Sequence, residues 1–325
     1  MKKSYILLII PIFLNTLSDR CHAEGENIYP SYQCNVDSGK KPTISWPSNF
    51  NLDYDVVALN PNEKDENTNS ESSKMLIGLK YKLSGDLFGH RKCRANLAGG
   101  AELDKTVFKN ALDDLNGLYG DFLSQGTLAS NKDENPDKFL ESQVRVGYAI
   151  NGTIKTNNPS IPDNFINYSG GAFGKYEASQ GGDNEQSVFG GYLQVYSTFG
   201  YAANNSVFAN VNVGRVDAAK DPERKAVAPD DTKYDRADAQ IIILKSIGLG
   251  KLKDFQFSYR YFKEIGASDI IKNAGLDRTH YAEYRLDFDA GFYAAYAAGS
   301  LPFDKQSDGV AKIGWSTNLD INFLK

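Results

Sequence analysis

The sequence predicts an all-β fold: an antiparallel transmembrane β-barrel of about twelve strands, with one amphipathic helix in a long loop. Three observations carry this. From His280 to Ala298 nearly every second residue is apolar or aromatic, and the intervening positions begin Tyr281, Glu283, Arg285, Asp287, Asp289 and Gly291. Side chains on a strand alternate faces, so this stretch is β-structure with one greasy and one charged face. The chain end repeats the pattern, with Ala311, Ile313, Trp315, Thr317, Leu319, Ile321 and Phe323 set against Lys312, Ser316, Asn318 and Asp320. Finally, no apolar run beyond the N-terminus approaches the length of a spanning helix, about 20 residues. Only a closed barrel then satisfies the backbone in lipid, with charge facing a wet interior.

The N-terminus fits export. Lys2 and Lys3 precede an apolar run from Tyr5 to Leu14, interrupted by Pro11, and a polar stretch reaches Cys21-His22-Ala23. This order reads as a secretory signal peptide cleaved after Ala23. Cys21 lies at the depth of a lipoprotein signal, but Ser18-Asp19-Arg20 lacks the small apolar residues of one. The expected organisation is a signal peptide at 1–23, an N-terminal periplasmic segment at 24–50 and the barrel at 51–325, with a helix-containing loop at 103–139.

Composition narrows the function classes. Losing Lys2, Lys3, Arg20 and Asp19 with the signal moves the net charge from −5 to −7. Acidity of this size argues against nucleic acid as a partner. Nineteen Tyr and 18 Phe against two Trp suit strands with aromatic girdles. Cleavage leaves Cys34 and Cys93, an even pair in an oxidising compartment, read as a disulfide between the N-terminal segment and an early strand. With no Cys-x-x-Cys and no His/Cys cluster, neither a metal nor a cofactor is implied.

Strand-like segments lie near 52–60, 74–84, 90–102, 140–155, 165–177, 187–201, 206–217, 236–249, 253–264, 279–298 and 309–324. Short connections (Ser84–Gly89, Ala203–Asn205, Gly250–Leu252) alternate with long polar ones (Asn60–Lys74, Leu103–Phe139, Ala218–Asp235, Ile265–Arg278), the order of short periplasmic turns and longer extracellular loops. Both termini belong in the periplasm, so the strand count must be even. A tight turn at Asp289-Ala290-Gly291 divides the longest segment and gives twelve. One segment departs from the pattern. Val107, Phe108, Ala111, Leu112, Leu115, Leu118, Tyr119, Phe122 and Leu123 recur at helical spacing, with Gly126 as a stop, although Gly117 and Gly120 each weaken a helix by about 1 kcal/mol. Such a helix would either plug the lumen or cap the rim.

With apolar residues facing lipid, Lys80, Lys82, Arg94 and Arg145 point inward from the early strands. Asp238, Arg260, Glu264, Glu283, Arg285, Asp287, Asp289, Lys312 and Asp320 do so from the later ones. A basic wall facing a mostly acidic one would set up a transverse field across an open lumen. The same charges could instead pair across a narrow barrel and fill it. No catalytic residue is assigned.

The signal peptide, the dyad-repeat strands, the loop alternation and the closing Asn318-Leu319-Asp320-Ile321-Asn322-Phe323 resemble a Gram-negative, porin-like outer-membrane β-barrel. In that class the last strand commonly ends on an aromatic residue read by the barrel-assembly machinery; here Leu324 and Lys325 follow Phe323. The resemblance implies location in the cell outer membrane, with membrane lipid, the assembly machinery and small polar solutes as partners. Diffusion of such solutes through a charged lumen is the expected function, and an enzyme is not expected. The mature chain keeps only His90 and His280 and has no Gly-x-Ser-x-Gly elbow, which disfavours a lipid-modifying hydrolase. A structural, adhesin or receptor barrel acting through polar loops such as Asn60–Asn67 is the alternative.

Overall fold

The alternation resolves into twelve strands in the computed structural model, which describes residues 50–61, 75–88, 116–132, 135–154, 164–199, 205–304 and 307–321. They are β1 Phe50–Pro61, β2 Leu76–Phe88, β3 Gly117–Ala129, β4 Phe139–Ile154, β5 Asn164–Ser179, β6 Glu185–Phe199, β7 Asn205–Lys220, β8 Lys233–Leu249, β9 Leu252–Ile265, β10 Arg278–Phe288, β11 Phe292–Gly299 and β12 Ser307–Ile321. Each pairs antiparallel with its sequence neighbours, and β12 closes onto β1 with Phe50 opposite Ile321. No edge is left open, the condition for a sheet to cross lipid. A tilted crossing needs about 9–11 residues; β8 reaches 17 and β10 has 11, while β11 has eight.

Burial is inverted relative to a water-soluble protein. On β4, Val146, Tyr148 and Ile150 are 46–55% exposed, whereas Glu141, Gln143 and Asn151 on the same strand are at most 6% exposed. The same holds for outward Leu193 on β6, Val211 and Val213 on β7, and Ile313 and Trp315 on β12. An apolar outer band around a polar inside is arranged for lipid. Among the described residues no helix is long and apolar enough to cross a membrane; the strands do the crossing.

The two ends differ. The end where β1 starts and β12 finishes carries the connections 250–251 and 289–291, and the opposite end carries 221–232 and 266–277. Apart from the 28 residues between β2 and β3 at the first end, the longer of these connections are at the opposite end, which we take as the extracellular side with the termini periplasmic. Two short helices lie in the outer loops, α1 Pro222–Val227 and α2 Asp269–Asn273. Asp221 caps α1 by accepting the Arg224 N–H at 3.0 Å, and Pro222 occupies its first turn. The expected division of 279–298 is present: β10 ends at Phe288, and Ala290 and Gly291 take positive φ values of 61° and 79° in the turn before β11.

One segment overturns its sequence reading. Gly117–Leu123, expected as the end of a helix, lies in β3, with Leu118 facing out and Tyr119 and Asp121 facing in. Apolar residues at 118, 119, 122 and 123 fit either period over so short a run. Gly117 and Gly120 tip the balance against helix, and β2 and β4 offer free hydrogen-bonding edges on both sides. The barrel wall also closes without the expected strand at 90–102, since β2 pairs directly with β3. That stretch, residues 107–115 and both Cys34 and Cys93 lie outside the described residues.

The outer mouth is tied together by Asp304 of the β11–β12 loop. Its carboxylate accepts the Phe139 N–H at the start of β4 (2.8 Å) and the Leu301 N–H (3.1 Å). Burial and the nearby Asp137 carboxylate push the Asp304 carboxyl well above the usual carboxylate range, outweighing those two N–H groups, which draw it down. The folded state therefore favours the protonated acid. Its contribution to stability is complete below the unfolded-state value of about 4 and is lost as pH rises through the raised value. The melting temperature of wild type minus that of Asp304→Asn should fall as pH is raised from acid to neutral. A difference independent of pH would contradict this.

Candidate functional site in the barrel interior

The inward positions of β4, β5, β8 and β9 bring six charges together near the extracellular end. Arg260 on β9 grips Glu141 on β4 through two hydrogen bonds, 2.8 and 3.2 Å. Four strands separate these elements on one side of the ring and six on the other, so this contact bridges nearly opposite walls. Arg236 on β8 holds Glu177 on β5 in the same bidentate manner at 2.6 and 2.9 Å. Lys175 sits between them, 3.0 Å from Asp238, 3.3 Å from Glu177 and 3.6 Å from Glu141. Three cations meet three anions, so the belt is neutral. Gln125 donates to Glu141 at 2.5 Å, Gln186 donates to Glu177 at 2.6 Å, and both guanidinium groups lie 4.9 Å from the Phe262 ring centre.

Further groups line the rest of the inner wall. Lys312 on β12 donates to Glu283 on β10 (2.8 Å), to Asp137 in the β3–β4 loop (2.5 Å) and to the Tyr281 hydroxyl (2.7 Å). Lys80 on β2 reaches Glu283 at 3.7 Å. Arg285 joins Asp287 (2.7 Å) to Asp55 on β1 (3.3 Å) and stacks 3.6 Å from the Tyr293 ring centre. Arg145 clasps Asp121 twice at 2.9 Å and reaches Gln194 at 3.1 Å. Between these lie two inward apolar clusters, one around Val57, Leu59, Tyr293 and Val310, the other around Tyr119, Phe173, Tyr192 and Val216. Gly147 makes room for the latter, because a Cβ there would meet the Tyr192 hydroxyl at 2.2 Å. The interior is thus a packed polar and aromatic layer with charges joined across it.

Most of the expected lumen residues do face inward: Lys80, Lys82, Arg145, Arg260, Glu283, Arg285, Asp287 and Lys312. Two parts of the expectation need correction, the face of Asp289 and the separation of charge between walls. Asp289 is in the periplasmic turn, 55% exposed and 3.9 Å from Lys253, because the alternation breaks at the turn. Glu264 shares the inward parity of Arg260 and Phe262 and lies at the outer end of β9, where Arg224 of α1 folds over it with bonds of 2.7 and 3.1 Å and stacks on Tyr234. The separation into a basic and an acidic wall also fails: Asp55, Asp121, Glu141 and Glu177 put acids on the early strands, each within 3.3 Å of a cation. Paired charges at such distances cancel and leave no transverse field. Arg94 and the Asp320 side chain lie outside what is described.

Glu141, Lys175, Glu177 and Arg236 were missed from sequence. On β5 Gly170, Ala172 and Gly174 interrupt the outward parity between Tyr168 and Tyr176, so the marking of the lipid face is sparse there. On β4 the signal was present, since Glu141, Gln143 and Arg145 alternate with Val144, Val146 and Tyr148.

No protein-family model matches the sequence, and no curated protein is similar to it. Among solved structures, the NanC porin is similar at 10% identity and a TM-score of 0.41, over 82% of this chain and 98% of that one. A BenF-like porin from Pseudomonas fluorescens Pf-5 is similar at 10% identity and 0.36, over 84% and 98%. The translocator domain of the autotransporter NalP from Neisseria meningitidis is similar at 7% identity and 0.26, over 87% and 90%. The chain is an outer-membrane β-barrel. That assignment rests on its own closed sheet and apolar outer face.

Proposed function

We propose that this barrel is a narrow, porin-like channel admitting small polar solutes that are neutral overall, zwitterionic or sugar-like, with the cross-barrel belt as its constriction. The belt carries the reading. Ionisable groups inside a membrane-spanning structure are costly and mark polar pathways, and here they come in matched numbers from facing walls. A solute offering both donors and acceptors can exchange with such pairs one hydrogen bond at a time. A highly charged solute must leave one member of a pair uncompensated, at a cost of about 3–5 kcal/mol. Gln143 Nε2, Asn210 Oδ1, Asn212 Oδ1 and Gln256 Oε1 add buried inward polar atoms with no protein hydrogen-bond partner, sites suited to water or to a polar solute.

Liposome swelling tests this. Vesicles holding the protein should swell faster in a small zwitterionic amino acid or a monosaccharide than in an equally small dianion or dication. Equal rates for all of them, or no swelling with any, would contradict the reading. A second reading, a closed barrel acting through its loops, is favoured by one observation: Arg224 clamps the β7–β8 loop onto Glu264 at the outer end of the neighbouring β9.

A further inference from the structure

We propose that the outer wall of β9 and β10 carries a binding site for a phosphorylated glycolipid of the outer leaflet, with Lys263 and Arg278 gripping its phosphomonoester. This rests on the outer-membrane orientation argued above. Lys263 and Arg278 are directly opposite each other in the β9–β10 register, both exposed on the lipid-facing side at the extracellular end. Like charges in that position repel and weaken a sheet. Three other outward cations on the strands of this rim are matched: Arg215 with Asp235 at 3.2 Å, Lys233 with Asp217 at 3.3 Å and Lys220 with Glu185 at 2.5 Å.

Lys263 and Arg278 are the exception. Among the described residues Lys263 has no ion-pair partner, and Arg278 reaches only the adjacent Asp277 at 3.8 Å while remaining 66% exposed. On the β8 side, Lys263 faces Ala237; Asp235 stands one position further out, opposite Ile265 and engaged by Arg215. Two cations on adjacent strands, with so little carboxylate to balance them, match the dianion of a phosphomonoester better than a zwitterionic headgroup.

The wall beneath them grades as a lipid does. Descending the same face, His280 lies opposite Tyr261, then Ala282 opposite Tyr259, then Tyr284 opposite Phe257, with the last two rings 5.0 Å apart. Cations meet the headgroup level, the imidazole and Tyr261 the interface, and the tilted aromatic pair the acyl chains.

The test uses the full-length barrel in neutral detergent, incubated with lipid A bearing both phosphates and weighed by native mass spectrometry. Wild type should retain this lipid in preference to the dephosphorylated form and to phosphatidylethanolamine. Each cation near an anionic headgroup contributes about fivefold, so Lys263→Gln/Arg278→Gln should lose about thirtyfold in retention. Lys263→Arg should keep it, and Lys220→Gln/Lys233→Gln, which removes paired cations of the same rim, should change it little. Equal retention of the dephosphorylated lipid, or equal losses in the two double variants, would overturn the proposal. So would competition by millimolar inorganic phosphate alone, which would mean a plain anion site. Heat-modifiable gel mobility, read on every sample, separates these outcomes from failure of the barrel itself, which would show as its loss in wild type.

Discussion

Replacing Glu177 by glutamine should lower the stability of the assembled barrel by about 3–5 kcal/mol, the range for stranding a buried charge. Glu177 is fully buried and is the bidentate partner of Arg236 as well as a neighbour of Lys175. The neutral amide leaves a belt of three cations and two anions, with Arg236 stripped of its bidentate partner. Changing both partners together, Glu177→Leu with Arg236→Met, should recover most of the loss, since an apolar pair of similar volume leaves no unpaired charge. Urea unfolding followed by heat-modifiable gel mobility measures both. If the single and double variants lose equally, the effect is packing and not charge pairing.

Leu193→Arg should be the next most damaging change. Leu193 is near the middle of β6, on the outer face, and 72% exposed. A cation facing lipid near the midplane costs about 2–4 kcal/mol, falling to about 0–1 kcal/mol near the interface. Phe292 also faces out, but it begins β11 beside the periplasmic turn, so Phe292→Arg should be nearly tolerated. The fraction of protein assembling into lipid vesicles distinguishes these positions. Equal assembly of the two variants would mean that Leu193 does not face the bilayer core.

The outer faces were legible where the two parities differ in kind. On β10 and β12, Ala, Tyr, Leu, Ile and Trp oppose Glu, Arg, Asp and Lys, and the structure turns each set to its expected side. The turn at Asp289-Ala290-Gly291 was legible because an even strand count is needed to bring both termini to one side and the turn chemistry was present. β3 was not, because four apolar residues in a short run satisfy period 2 and period 3.6 alike. The belt was half legible. Alternation alone points Arg145 and Arg260 inward, but the pairing of Arg260 with Glu141 depends on how far apart β4 and β9 fall around the ring, which no local pattern encodes. Asp289 failed for the opposite reason, since a period extrapolated through a turn assigns a face to a residue that has none.

Single-channel conductance in a planar bilayer tests the central claim most directly, that facing walls meet through Glu141 and Arg260 and so narrow the pathway. Glu141→Ala/Arg260→Ala keeps the net charge unchanged while removing the bridge. Wild type should give small, discrete steps with weak preference between small cations and anions, and the double variant larger ones. Large ohmic steps in wild type that the double variant leaves unchanged would contradict a constriction at this level.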